Sequence, residues 1–286
     1  MPLWLPQKGI KRVQHNLAGA PTTLRPGTVV VTDGSSAATK GTEVELISST
    51  NFDAYELWIL ATNYGTSTLA ARACLDIMIG SATAEIVIAN LLAGCCGAPD
   101  GTGARSGGKS WRFPLYIPSG SRIAAQVAGD RLGAGMYVAV WIRNTAPPGR
   151  VGTKVTTYGI GTVPAGTGVT AANGSEGSWT EITASTTSDH FACMPSFQPP
   201  NDATLTPIKA FSLDIGIGAA TEELLGGYEQ SYMYKYDASE MCEGPVGFNE
   251  PVYAPIPSGS RLTARLSTNG AADAAAPQVA LHCVSE

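Results

Sequence analysis

Leu213-Asp-Ile-Gly-Ile-Gly-Ala-Ala-Thr-Glu-Glu223 has a near copy at Leu75-Asp-Ile-Met-Ile-Gly-Ser-Ala-Thr-Ala-Glu85. A second shared phrase follows each, Ile117-Pro-Ser-Gly-Ser-Arg122 and Ile256-Pro-Ser-Gly-Ser-Arg261. Both phrases recur in the same order at an offset of about 138 residues. Fixed-period self-similarity marks a structural unit written more than once. Weaker matches extend the pattern outward. Ala165-Gly-Thr167 answers Pro26-Gly-Thr28, and Val279-Ala-Leu-His-Cys283 answers Val138-Ala-Val-Trp-Ile142.

Between these phrases the chain reads as short strands. Thr28-Val-Val-Val-Thr32 is β-branched, and Glu43-Val-Glu-Leu-Ile47 alternates polar with apolar, as a half-buried strand does. Residues 55–61, 70–79, 111–117, 121–127 and 136–142 are further apolar runs of strand length, parted by Gly, Pro and Asn. Residues 84–92 fit a strand or a short helix equally well, because periodicity does not separate the two in short apolar runs. A Gly-rich loop spans residues 94–109, and the Tyr-, Met- and Glu-rich residues 228–248 replace it in the second copy. The expected fold is all-β: two tandem jelly-roll-like β-sandwich domains from an internal repeat, with an extended N-terminal arm. The expected boundaries are 1–25 for the arm, 26–146 for the first sandwich, 147–162 for a Pro-stiffened linker and 163–286 for the second sandwich.

Composition narrows the partners. Of the 286 residues 14% are charged, against an ordinary value of about 25%. That suits a surface largely covered by other protein. The net charge of −5 argues against a nucleic-acid partner. No apolar run approaches the roughly 18 residues of a membrane span, and the first residues lack the pattern of a signal peptide. Cys74, Cys95, Cys96, Cys193, Cys242 and Cys283 form no C-x-x-C pair. They read as buried thiols, with disulfides formed in an oxidising medium as the alternative.

The candidate chemistry is thin. Asp76 and Asp214 recur, as do Arg122 and Arg261. The expectation is that each Asp pairs with its Arg to tie two strands together. Ser119, Ser121, Ser258 and Ser260 lie in Pro-Ser-Gly-Ser turns without a nearby His, so they read as turn residues, not nucleophiles. Gly216-Ile-Gly218 lacks the third glycine and following helix of a dinucleotide loop, so crowding or a bulge accounts for it better. His190 and His282 fall at strand-like positions and read as core residues. Asn173-Gly-Ser175 reads as a turn, not a glycosylation site. Glu222-Glu223 and Asp237 with Glu240 have no spacing that suggests a hydrolytic cleft. The sequence therefore offers no catalytic, cofactor or metal site, and the expectation is that the chain is not an enzyme. The arm is apolar for a solvated tail. Trp4, Leu5 and Ile10 are its expected contacts with a neighbouring subunit.

The phrases Leu-Asp-Ile-Gly-Ile-Gly-Ala-Ala and Ile-Pro-Ser-Gly-Ser-Arg resemble those of small β-rich virion structural proteins of tailed bacteriophages. The resemblance covers roughly residues 26–286 and carries no catalytic residues. It implies a virion protein assembled in the host cytoplasm. Its partner would be the major capsid protein or another virion protein, and its own form a homo-oligomer, a trimer first. A capsid decoration or cement protein is the leading reading. A tail or head fibre component that binds a host carbohydrate or receptor is the alternative, and a carbohydrate-active enzyme the third.

Overall fold

The structure is a computed structural model that describes residues 13–15, 29–64, 72–81, 84–93, 109–130, 135–147, 149–198, 209–218, 222–234, 250–270 and 276–286. The first half holds β1 (Val13–His15), β2 (Val29–Thr32), β3 (Val44–Ile47), β4 (Glu56–Tyr64), β5 (Ala73–Ser81), β6 (Ala84–Leu92), β7 (Lys109–Phe113), β8 (Arg122–Gly129) and β9 (Gly135–Arg143). The second holds β10 (Lys154–Tyr158), β11 (Thr167–Gly168), β12 (Ala171–Asn173), β13 (Thr180–Thr183), β14 (His190–Gln198), β15 (Lys209–Ile217), β16 (Glu223–Tyr234), β17 (Val252–Ile256), β18 (Leu262–Thr268) and β19 (Gln278–Ser285).

These strands form four sheets, and the strand order repeats. In the first half β9, β4 and β7 run side by side, with β1 and β2 along the outer edge of β9. The facing sheet has the order β3-β8-β5-β6. In the second half β19, β14 and β17 run side by side, with β10 and β11 along β19, and β13-β18-β15-β16 face them. The fold is all-β, with two jelly-roll-like sandwiches and no helix among the described residues. Residues 84–92, ambiguous in sequence, form β6.

The repeated Ile-Pro-Ser-Gly-Ser-Arg phrase builds the same capped turn twice. Gly120 and Gly259 adopt φ of 87° and 83°, which a side chain would strain. Thr50 Oγ1 donates to the Pro118 carbonyl at 2.7 Å and accepts from the Ser121 amide at 3.0 Å. Asp53 Oδ1 accepts from the Ser119 amide at 2.8 Å. In the second copy Thr186 repeats both bonds to Pro257 and Ser260 at 2.7 and 3.0 Å, and Asp189 accepts from the Ser258 amide at 2.7 Å. The serines are turn residues that supply amide donors.

Apolar residues from both sheets of each half meet in its core. Leu57 and Ile59 pack with Ile77, Ile123 and Val138 in the first, and Phe197, Phe211, Leu213 and Leu281 pack together in the second. The first core also takes in Val155, Phe191, Ala192, Met194 and Val284 from β10, β14 and β19. The β10-β19-β14-β17 sheet is thus covered on both faces, by its own sandwich and by the first half. All nine residues of β14 are buried, as expected of a strand covered on both sides. Residues 147–162, expected to be a linker, contain β10, which pairs with β19 along its whole length. The apolar residue at Val155 explains the difference: it fills the first core, so this stretch is packed structure.

Candidate functional site

The four recurring charged residues do not pair as expected, because the ladders hold them apart. Asp76 stands opposite Gln126, whereas Arg122 stands opposite Gly80. Four strand positions span about 13 Å, beyond ion-pair reach. Asp76 instead binds Lys40 at 2.8 Å and accepts from the Asn90 amide at 2.6 Å. Arg122 pairs with Glu43 and Glu45. In the second copy Asp214 lies opposite Arg265 and binds it at 2.8 Å. Arg261 pairs with Glu181 at 2.8 Å and with Glu222 at 2.5 Å, and its hydrogen bond holds the Glu222 carboxyl below its ordinary range. Each Asp keeps its place in the repeat but takes a different cation. Together these contacts clip adjacent segments.

Gly216 and Gly218 belong to a strand and its end, with β16 following, so they cradle no phosphate. A Cβ on Gly216 would lie 2.7 Å from Thr263 Oγ1 and 2.9 Å from the Trp179 ring. This is the crowding expected from the sequence. Gly218 adopts φ of 133°, as its counterpart Gly80 does at 135°.

Both described core histidines are hydrogen-bonded. His282 is fully buried, with Nδ1 3.0 Å from Thr157 Oγ1 and Nε2 2.8 Å from Ser196 Oγ. Thr157 donates its own proton to the Ala89 carbonyl at 2.9 Å. Its oxygen therefore accepts from Nδ1–H, and Nε2 accepts from Ser196. Burial pushes the His282 pKa down to about 3. Ser196 and His282 touch as a nucleophile and base would, but they are 1% and 0% exposed, which leaves no room for a substrate. They form a polar tie reaching β6 of the first half.

His190 stands at the edge of a groove. Its Nε2 lies 2.9 Å from the Tyr158 hydroxyl, which accepts from the Thr187 amide. The buried Nδ1 has no protein partner. Burial, and secondarily Lys154, lower the His190 pKa, so the ring is neutral at pH 7. The groove, of about 660 Å³, is lined by Arg150, Asp189, His190, Phe191, Tyr253 and Pro255, among others. Tyr253 is 45% exposed there. Such a surface can stack a flat ring or sugar face on Tyr253, with Arg150 and Asp189 as charged neighbours, while both His190 nitrogens face the interior. Buried Glu56 is bonded by Arg112 and Arg143, whose guanidiniums sit 5.5 and 5.0 Å from the centre of the Trp58 ring. Arg112 also binds Glu250 at 2.7 Å, joining the halves. Sequence reasoning missed this groove. A partial signal existed: His190 pairs with Ile256 where the first copy pairs Ala54 with Ile117, so a polar ring replaces a methyl at matched positions.

Among the described residues the exposed large apolar side chains are Val30, Val87, Leu224 and Tyr253. They sit on β2, β6, β16 and β17, which are edge strands of the four sheets. The expected arm contacts Trp4, Leu5 and Ile10 lie outside the described residues, as do Cys95, Cys96, Cys242 and Tyr236. Val13–His15 of the arm forms β1, paired to Arg143–Trp141 of its own chain. Among the described residues no three His, Cys, Asp or Glu side chains gather as metal ligands.

No known protein family matches this sequence, and no curated protein matches it. Several solved structures are similar in fold. PNGF-II has a TM-score of 0.39 at 8% identity, with 91% of this chain and 65% of that chain covered. This chain thus spans about two thirds of the length of PNGF-II. The STIV MCP has a TM-score of 0.36 at 8% identity, with 96% of each chain covered. PNGase F, described as a glycosylasparaginase from Flavobacterium meningosepticum, has a TM-score of 0.34 at 11% identity, covering 90% and 96%. These similarities correct the expectation that the chain is not an enzyme, because PNGase F is itself an enzyme. The absence of a recognisable catalytic motif in the sequence does not exclude catalysis. At such scores the likenesses assign neither an activity nor a role in assembly.

Proposed function

We propose that this chain is a bacteriophage virion structural protein, a capsid decoration or cement protein that stabilises the head by binding neighbouring capsid subunits. The observation that carries this reading is the placement of Val30, Val87, Leu224 and Tyr253 on edge strands of the four sheets. Exposed apolar edges are a liability for a solitary protein and an asset for one that associates through them. The low charged fraction of 14% and the virion-protein phrases support the same reading. The partner is the major capsid protein or another virion protein, and the chain acts as a homo-oligomer, a trimer first. A protein that binds only the assembled lattice stabilises it by mass action.

The test is electron microscopy of intact particles carrying gold-labelled antibody to this chain. A regular array over the head is expected. Label confined to the tail would overturn the head assignment. In a second arm, Leu224→Asp and Val30→Asp should weaken binding to stripped particles at least tenfold. Undiminished binding by both variants would remove the edges as the contact.

One observation favours the alternative, a fibre component that binds a host carbohydrate: the groove beside Tyr253 and His190. A glycan array separates the readings. Binding that is lost in Tyr253→Ala selects the fibre reading, and no binding at all selects decoration.

A further inference from the structure

We infer that Cys193 and Cys283 are the site of a cross-strand disulfide that forms when the protein meets a peroxide-class oxidant. The two residues face each other directly across the β14–β19 ladder. Their sulfur atoms are 3.1 Å apart, and both thiols are free. Directly opposed residues on antiparallel strands have Cα atoms about 4.5–5.5 Å apart. That lies within the range a disulfide spans. Closing the gap to a bond of about 2.05 Å takes a movement of about 1 Å, without any change of register.

The surroundings explain why the pair waits for an oxidant. Both side chains are fully buried in the second core, among Leu281 and Phe197. Burial, and then the hydrogen bond to Cys193, push the Cys283 thiol up, so little thiolate exists at neutral pH. Hydrogen peroxide is small enough to enter on a brief opening of the sheet. One thiolate attacks a peroxide oxygen and the O–O bond breaks, giving a sulfenic acid and water. The second thiol then attacks the sulfenic sulfur and a second water leaves. Two thiols are oxidised and one peroxide is reduced to two waters. Both sulfurs are already in contact, so the second step needs no search.

The bond would join two adjacent inner strands of the sheet that contacts both cores. It would close a loop between residues 90 positions apart. Closing so long a loop restricts the unfolded chain. A reducing cytoplasm keeps the thiols apart, and an oxidising medium outside the cell joins them. This inference is independent of the assembly role proposed above, since it rests only on the second core.

The test is peptide mapping of the full chain after incubation with hydrogen peroxide and alkylation of remaining thiols under denaturing conditions. The expected result is a linked peptide pair carrying Cys193 and Cys283, about 2 Da lighter than the sum of the free peptides. The melting midpoint should also rise by about 5 °C and fall back on reduction. Cys193→Ser should lose both the linked pair and the rise. If that variant does not fold, the wild-type map decides by itself. Recovery of both cysteines fully alkylated, oxidised singly to sulfinic acid, or linked to other cysteines would overturn the inference.

Discussion

Asp214 and Arg265 stand directly opposite each other on β15 and β18, joined at 2.8 and 2.9 Å, with the guanidinium 4.4 Å from the Trp179 ring centre. Arg265 also reaches Glu176 at 2.5 Å. Asp214 is 17% exposed and Arg265 21%, so the pair is partly shielded from solvent. Asp214→Ala is expected to destabilise the second half by about 1 kcal/mol, toward the upper end for such pairs. A double-mutant cycle in urea should show coupling between Asp214 and Arg265 and none between Asp214 and Arg261. A melt of Asp214→Ala that overlays the wild type would sink the claim.

A larger effect is expected at Glu56. Its side chain is 1% exposed and takes both Arg112 and Arg143. Removing the buried carboxylate leaves two partly buried guanidiniums side by side, of which Arg112 keeps Glu250, an effect of about 3 kcal/mol. Glu56→Gln keeps the volume and loses the charge, and it should lower the urea midpoint markedly. The same replacement at exposed Glu45, half of a clip to Arg122, should change it by less than about 1 kcal/mol. Equal effects at the two sites would show that burial does not govern these contacts.

The sequence carried the duplication because the repeated phrases mark positions with strict local demands. One is a strand with Gly at φ near 133° at its end, and the other is a turn that needs Gly and two capped amides. Local demands leave local signatures. The partners of Asp76 and Asp214 were not legible, because they depend on ladder register, and recurrence in sequence says nothing of register. The same limit hid the groove and the polar tie at His282. Both require knowing that the β10-β19-β14-β17 sheet is covered on two faces. Only long-range packing of the halves decides that, and it makes Ser196 and His282 interior residues of strands that look ordinary in sequence.

Gly216 offers a sharp test of packing. Its first-copy counterpart is Met78, so the backbone itself does not demand glycine there. The demand comes from Trp179 and Thr263, which a Cβ would meet at 2.9 and 2.7 Å. Gly216→Ala should lower stability by about 1–3 kcal/mol through overpacking. Shortening the obstacle should restore part of it, so Gly216→Ala with Trp179→Leu should lose less than the two single changes together. Strict additivity in thermal melts would refute the steric account.

The pH dependence of stability follows from His282. Its pKa is lowered to about 3 in the folded chain by burial, against about 6.5 when unfolded. Above about pH 6.5 the imidazole is neutral in both states, and stability is fully present. As pH falls below that value the unfolded chain binds a proton that the folded chain refuses. Stability is therefore lost between about pH 6.5 and about 3, at up to roughly 1.4 kcal/mol per pH unit. His190, lowered in the same direction by burial, adds to the slope. The measurement is the urea midpoint as a function of pH from 7.5 to 5, above the range where most carboxylates titrate. His282→Asn keeps a donor toward Thr157 but has no proton to gain, so its curve should be flatter over this window even if it starts lower. A variant curve parallel to the wild type would mean that another group drives the acid sensitivity.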